Sequence, residues 1–587
     1  MNKIDLDMLL AVYEGKKNNQ RELAEKTGYS LGAVNKSVNY LCEEGLIDKK
    51  LSVTDKGKEL IKSRKPKNAV ILAAGFGMRM VPINMETPKA LITVKGEVLI
   101  ERLIKQLKEV GIEKIYVVVG FMKDSFEYLI DKYSVNLIYN PDYASKNSLF
   151  SLMCASRYIS NSYILPSDIY CEDNPFSENE LYSWYLVTDK NDDESKVRVN
   201  RRQEIVRSEK ANQSNRLVGI SFLTKEDSAD FLKNAVSLSK NPEADDKFWE
   251  AGFYTDKKIT VYAHVAPDER VYEINTYEQL RNIDSDSNHL KSKSIKIAAD
   301  ALSADMNEIV DITVLKTGMT NRSFLFMCRG KKYIMRIPGE GTDKLINRRE
   351  EAEVYGVIKG KDICDRIIYI DPENGYKITE YMDNARVCDP LSQSDIQRCM
   401  DYLRAFHEKK LKVSHEFDIF GQTEFYETLW EGDKSIFRDY EETKKNVFSL
   451  RNFIDENKEP FSLTHVDAVP DNFLFTPDGK GGEEIHMIDW EYAGMQDPHL
   501  DIAMFCIYSL YDRDQVENLI DTYFKEGCPK KTRIKIYCYI AVCGLLWSNW
   551  CEYKRKLGVE FGEYSLRQYR FAKDYYKIAV EAMKDES

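Results

Sequence analysis

Apolar positions change their spacing along this chain, and each change marks a new kind of element. From Leu6 to Tyr13 they recur at helical spacing. Arg21 to Thr27 reads as a short helix closed by Gly28, and Ser30 as the N-cap of a longer one, Leu31 to Glu44, which Gly45 ends. Leu46 to Val53 predicts a short β-wing and Thr54 to Lys62 a last helix. After Arg64-Lys65-Pro66-Lys67, which reads as a linker, the apolar residues run continuously. Ala69 to Ala73, Lys114 to Val119 and Tyr163 to Pro166 predict buried parallel strands, with an amphipathic helix, Leu99 to Val110, between the first two. Strands alternating with helices predict an open α/β sheet. Residues 283–294, rich in Ser, Asp, Asn and Lys, read as a second linker. Beyond Ile297, Ile312 to Leu315, Ser323 to Cys328 and Lys332 to Ile337 alternate as an antiparallel meander, and from about residue 391 the pattern is mostly helical.

A chain of 587 residues has room for three or four domains. With 43% hydrophobic and 31% charged residues it has a globular composition, and a net charge of -12 argues against a coat for nucleic acid or membranes. The first 65 residues differ, with 13 Lys/Arg against 10 Asp/Glu. Asn35, Lys36 and Asn39 fall on the outward face of the Leu31–Glu44 helix, and Lys49, Lys50 and Lys56 flank the wing. Twelve cysteines without a C-x-x-C pair read as reduced thiols of a cytoplasmic protein. The start Met1-Asn2-Lys3-Ile4-Asp5 lacks an apolar signal core. The longest apolar run, Ile536 to Trp547, is too short to span a membrane.

Two stretches carry nucleotide chemistry. The first is the loop Ala73-Ala74-Gly75-Phe76-Gly77-Met78-Arg79, followed by Pro88-Lys89. Glycines after a buried strand let backbone N–H groups approach phosphate oxygens, which places Ala74, Gly75 and Gly77 against a nucleotide. Arg79 and Lys89 would neutralise a triphosphate attacked at its α-phosphorus.

The second reads H-x-D-x-x-x-x-N, from His465 to Asn472, followed by an apolar strand ending in Asp489. Phosphoryl transfer from ATP needs one carboxylate to take the proton of the attacking hydroxyl, here Asp467. It also needs an amide and a second carboxylate, Asn472 and Asp489, to hold the metal on the phosphates. Upstream, Leu315 to Asn321 forms a hairpin turn that would cover ATP phosphates, with Thr317 and Asn321 in it. Arg336 stands where protein kinases carry lysine, with Glu351 on the following helix as its expected partner. Ile378-Thr379-Glu380-Tyr381 is the expected hinge, with Glu380 and Tyr381 meeting adenine through backbone groups. Trp547 and Trp550 lie three apart on one helix face, and with Glu491 and Tyr492 would form an aromatic, acidic wall for a trimethylammonium group.

Three resemblances follow from these residues. Residues 1–65 resemble a winged helix-turn-helix domain, with DNA or a docking protein as its partner. Residues 66–288 resemble the sugar-phosphate nucleotidyltransferase superfamily through G-x-G-x-R and P-K, and within it the bacterial CTP:phosphocholine cytidylyltransferases. The quoted matches are Asn140-Pro141-Asp142-Tyr143, Asn147-Ser148, Leu165-Pro166-Ser167-Asp168 and Glu273-Ile274-Asn275. This resemblance implies a Rossmann-like α/β sheet and Mg²⁺ held by Asp168 with Glu273. The family's second metal aspartate is replaced here by Asn275, an amide oxygen without charge. Phe248-Trp249 and Phe253-Tyr254 would cage a quaternary ammonium, with Trp249 the named candidate.

Residues 295–587 resemble the bacterial choline kinase family through R-I-P-G-x-G-T, I-N-R, H-x-D-x-x-x-x-N and W-x-x-W-x-x-Y. This implies a bilobal protein-kinase-like fold, ATP and Mg²⁺. The expectation is a multidomain α/β and α+β enzyme that phosphorylates choline and couples phosphocholine to CTP, for decoration of cell-surface polymers. Ethanolamine or an aminophosphonate in place of choline, and a choline-responsive transcription regulator, are the alternatives.

Overall fold

The computed structural model describes the chain except residues 16–18, 144, 193–194, 196, 208–213, 242–243, 255–258, 318–320, 340–344, 362, 558, 560 and 587, and the side chains of 316, 317, 321 and 322. The expected phosphate-covering turn, the side chains of Thr317 and Asn321, and Gly341-Thr342 lie outside the described residues. The chain divides into two compact units, Met1–Ile297 with Asp311–Val314, and Ala298–Val310 with Leu315–Ser587.

In the first unit, Asn2 and Asp5 form a capping box that starts α1 (Lys3–Glu14). α2 (Gln20–Thr27) ends at Gly28, whose φ of 73° is the left-handed conformation a helix stop requires. Ser30 caps α3 (Leu31–Glu43), and α4 (Asp55–Arg64) follows a wing reduced to one bridge, Ile47 to Val53. Leu9, Leu23, Val34, Val38 and Ile61 form the core of this winged helix, and Leu181 of the sheet domain completes it. The expected linker at Arg64 is therefore not one. Arg64 lies in α4 and donates to the Leu181 carbonyl at 2.6 Å, while the Tyr182 hydroxyl donates to Asp7 at 2.8 Å.

The sheet domain is built on β1 (Asn68–Ala73), which pairs in parallel with β2 (Lys114–Val119) on one side and β4 (Ser162–Pro166) on the other. With β3 (Asn136–Tyr139), β6 (Trp184–Asn191), β7 (Asn215–Leu223) and β8 (Tyr262–Ala266), the order is β8-β6-β7-β4-β1-β2-β3. α5 (Leu99–Glu109) covers one face and α6 (Ser148–Cys154) the other, which explains the unbroken apolar runs in the central strands. A small pair, β5 (Ile169–Cys171) antiparallel to β9 (Val271–Glu273), continues from β4. The expected second linker is ordered instead. Asn288–Lys291 is a helical turn whose His289 accepts from the Thr93 N–H at 3.0 Å, and the helix Lys293–Leu302 follows.

In the second unit, β11 (Asn321–Cys328) pairs antiparallel with β12 (Lys331–Pro338), β12 with β14 (Lys377–Glu380), and β14 with β13 (Ile367–Ile370). The remaining strand of the expected meander lies in β10 (Val310–Thr317). α7 (Arg348–Ile358) follows β12, and the helical lobe, which opens with α8 (Gln393–Glu408), follows the sheet. Its longest helix, α9 (Lys530–Lys556), is by length and composition apolar enough to cross a membrane. Its apolar window is, however, 94% buried, much of it under α10 (Glu563–Lys584). All twelve cysteines are free.

Candidate active sites

In the first unit the loop after β1 and the end of β4 lie side by side, because Leu72 pairs with Pro166. Gly77 has φ of 61°, and a side chain there would press on Lys89 Cβ at 3.1 Å, so glycine lets the loop close on Lys89. The Lys89 ammonium bonds both Asp168 Oδ2 and Asn275 Oδ1. The β5–β9 pair brings these partners together: Ile169 is opposite Glu273, and the Ile274 N–H donates to the Asp168 carbonyl at 3.1 Å. Asp168 Oδ1 is buried and has no hydrogen-bond partner among the described residues. Arg79 is exposed at the rim.

These groups line a cleft of about 700 Å³ together with Ala74, Gly75, Gly77, Tyr143, Tyr185, Trp249, Glu250 and Glu273. The Tyr185 hydroxyl donates to Glu250 at 2.7 Å, and burial pushes the Glu250 carboxyl up to about 7. No motif marks Glu250 in the sequence, since a single acid between aromatics forms no pattern. The expected aromatic cage does not form as a set. Trp249, 2% exposed, and Phe253 pack with Phe231, whereas Phe248 alone is open.

The second site hangs on Asp501. Its carboxylate accepts the backbone N–H groups of His465 at 3.1 Å and Val466 at 2.7 Å, and bonds His407 at 2.9 Å. Val466 has φ of 70°, so the chain turns sharply and presents Asp467. The hairpin Phe473–Pro477 with Glu483–Met487 then returns the chain, and the Ile488 N–H donates to the Asn472 carbonyl at 3.0 Å, bringing Asp489 beside Asn472. Asn472 Nδ2 donates to Asp467 Oδ2 at 3.2 Å. Burial, and then the charges of Asp489 and Glu491, push the Asp467 carboxyl up to about 8.

Arg336 bonds Glu351, as expected, and reaches Asp489 at 3.1 Å and Glu491 at 3.2 Å. Arg348 at 3.1 Å and Lys377 at 3.5 Å also meet Glu351. Burial alone would raise the Glu351 carboxyl, but these cations hold it down at about 2. The segment expected to meet adenine has its amides in use: Glu380 N–H donates to the Arg366 carbonyl at 2.9 Å and Tyr381 N–H to the Lys332 carbonyl at 3.0 Å. Neither amide is available to a base. Tyr492 and Trp547 meet edge to face at 5.8 Å, and Trp547 meets Trp550 at 5.3 Å. Trp547 is partly open, whereas Trp550 is 8% exposed and leans on Phe561. On the winged helix, Asn35 donates to Gln20 at 3.0 Å and Asn39 to Asn35 at 2.9 Å, which links the amides of the outward face in a row.

Over 230 residues the chain is 33% identical to the choline-phosphate cytidylyltransferase of Streptococcus pneumoniae, covering 37% of this chain and 96% of that one. The chain belongs to the choline-phosphate cytidylyltransferase family. Three family models match along it: Winged helix-turn-helix DNA-binding over residues 1–48, MobA-like NTP transferase domain over 69–183, and Choline/ethanolamine kinase over 312–542. This cytidylyltransferase-family member is thus a transferase with a second, kinase-related half. A further relative, the 2-aminoethylphosphonate cytidylyltransferase of Lancefieldella rimae, is 40% identical over 109 residues, 18% of this chain and 44% of that one. The crystal structure of choline kinase LicA from Streptococcus pneumoniae is 29% identical, covers 49% of this chain and 99% of its own, and has a TM-score of 0.42.

Proposed function

We propose that the chain makes CDP-choline in two steps. The second unit transfers the γ-phosphoryl group of ATP to choline, and the first joins the resulting phosphocholine to CTP with release of pyrophosphate. The observation that carries this reading is the Tyr492–Trp547–Trp550 wall, set on the same lobe as Asp467 and Glu491. Choline has a fixed positive charge and no N–H to donate, so aromatic faces and a carboxylate are what can hold it. The relative named for choline-phosphate cytidylyl transfer and the match to the Choline/ethanolamine kinase family model support the two steps.

In the kinase step Asp467 accepts the choline hydroxyl proton as the oxygen attacks the γ-phosphorus, and the bond to ADP breaks. Arg336 holds the buried carboxylates of Glu351 and Glu491 together with the more open Asp489. In the transfer step a phosphocholine oxygen attacks the α-phosphorus of CTP, and Lys89 and Arg79 offset charge on the triphosphate. Glu250, between Tyr185 and Trp249, supplies the acid facing the choline group.

Mg²⁺ fits both sites. Asp168 keeps one buried oxygen without a partner, with Glu273 and the Asn275 carbonyl beside it. Asn472 turns its N–H₂ to Asp467, which leaves its Oδ1, with Asp489, for a cation. When bound, Mg²⁺ neutralises phosphate charge. Use of ATP and CTP fits a cytoplasmic enzyme, and the CDP-choline would serve phosphocholine decoration of cell-surface polymers.

A second reading replaces phosphocholine by an aminoalkylphosphonate in the first unit, favoured by the 40% identical stretch shared with the 2-aminoethylphosphonate enzyme. Mass spectrometry of products from purified protein with ATP, CTP and Mg²⁺ decides among choline, ethanolamine and 2-aminoethylphosphonate. CDP-choline should accumulate from choline. A cytidylyl-aminophosphonate formed without any CDP-choline would reject the main reading.

A further inference from the structure

Lys554 lies on α9 four residues after Trp550 and seven after Trp547, on the same face. It is 4% exposed. Among the described residues its ammonium has no hydrogen bond and no ion pair within reach. Its Nζ instead lies over the Trp550 ring, 5.5 Å from the centroid, which is cation–π distance. The carboxylate charge that acts on it is Glu491, which is bonded to Arg336 at 3.2 Å. Burial works against the charge of Lys554 and Glu491 works for it. Trp550 Nε1 is also buried without a partner among the described residues, so protein groups do not close this wall. A buried lysine over the Trp550 ring stands where a substrate cation would sit if this ring belongs to the amine wall.

We propose that Lys554 is a specificity-determining residue of the amine site: its ammonium holds the Trp550 face, and a quaternary ammonium substrate has to displace it to bind. This rests on the reading of Trp547 and Trp550 as the amine wall. The physical consequence is charge-specific. A cation arriving beside Lys554 meets a like charge and an occupied ring face, whereas an uncharged molecule of the same shape meets only the occupied volume.

The test uses the full chain and steady-state phosphorylation of choline. Lys554→Met keeps the length of the side chain and removes the charge. It should lower the KM for choline roughly 3- to 30-fold, the factor one cation–π contact corresponds to, with the KM for ATP unchanged. The inhibition constant of 3,3-dimethylbutan-1-ol, the uncharged carbon isostere of choline, should move by less than about twofold. Lys554→Arg keeps the charge and should keep the wild-type KM for choline. Equal changes for choline and its isostere, or a choline KM that Lys554→Met leaves in place or raises, would overturn the proposal. If Lys554→Met does not fold, Lys554→Gln carries the same two readings. A wild-type protein that phosphorylates no choline at all rejects the functional reading rather than this one. In that case calorimetric binding of tetramethylammonium, expected to be tighter in Lys554→Met than in wild type, still decides the role of Lys554.

Discussion

The Asn472 side-chain amide donates to the Asp467 carboxylate at 3.2 Å and to the Asp467 backbone carbonyl at 2.9 Å. The Asn472 side chain thereby orients the base and leaves its own Oδ1 out of both bonds. The two groups belong to the second unit, and the Lys89–Asp168 pair to the first. Asp467→Ala should therefore abolish choline phosphorylation, by about 10³-fold or more, and leave cytidylylation of supplied phosphocholine near wild type. Parallel assays of ADP and CDP-choline formation check this. Loss of both activities in a folded variant would reject the assignment of one reaction to each unit.

The Lys89 ammonium is shared between Asp168 and Asn275. Lys89→Ala or Asp168→Ala should reduce CDP-choline formation by roughly 10²-fold or more, because each deletes charge compensation at the reacting triphosphate. Asn275→Asp adds the carboxylate that the resemblance to cytidylyltransferases implies at this position. It should give equal or higher activity at low Mg²⁺, measured as the Mg²⁺ concentration for half-maximal rate. A large loss instead would show that Asn275 acts mainly through its bond to Lys89.

Trp547 is open on one side, whereas Trp550 is mostly enclosed by Phe561 and Trp547. Trp547→Ala should raise the KM for choline about 3- to 30-fold with little change for ATP. Trp550→Ala should do the same and also lower the melting temperature, since a buried indole is lost; removal of a large core side chain costs about 3–5 kcal/mol. Phenylalanine at either position should cost less than alanine. Equal damage to choline and ATP kinetics would make both tryptophans core residues only.

Glu180 lies buried under the junction of the winged helix and the sheet, 2.9 Å from the Tyr163 hydroxyl, and burial pushes its carboxyl up from 4.5 to about 8. The folded state therefore favours the protonated acid. Between pH 4.5 and 8 the unfolded chain has released this proton and the folded one still holds it, so this group's contribution to stability is full below pH 4.5 and is lost as pH rises to about 8. Glu180→Gln should remove that loss and raise the melting temperature of the first unit at pH 8 by a few degrees, with little effect at pH 5. Calorimetric melts at the two pH values check the sign.

Much of this was legible in the chain because it is local. A strand followed by glycines, a helix after Ser30, and the fixed distance from His465 to Asn472 are set within a few residues, and short-range sterics and hydrogen bonding dictate them. The pairing of Arg336 with Glu351 was legible too, since a strand and the next helix bring them together. Other features depend on residues far apart in sequence. The Lys377 contact to Glu351, the Asp501 brace under His465, and the Tyr182–Asp7 bond that makes Arg64–Lys67 part of a packed junction arise only when strands pair and lobes close. Glu250 and Lys554 belong with them: each is an ordinary charged residue in sequence, and burial among aromatic rings alone gives it chemical weight. Periodicity and spacing thus determined the elements and the catalytic motifs. Tertiary packing decided which charges lose water and which partner each one meets, because desolvation depends on what surrounds a group and not on its neighbours in the chain.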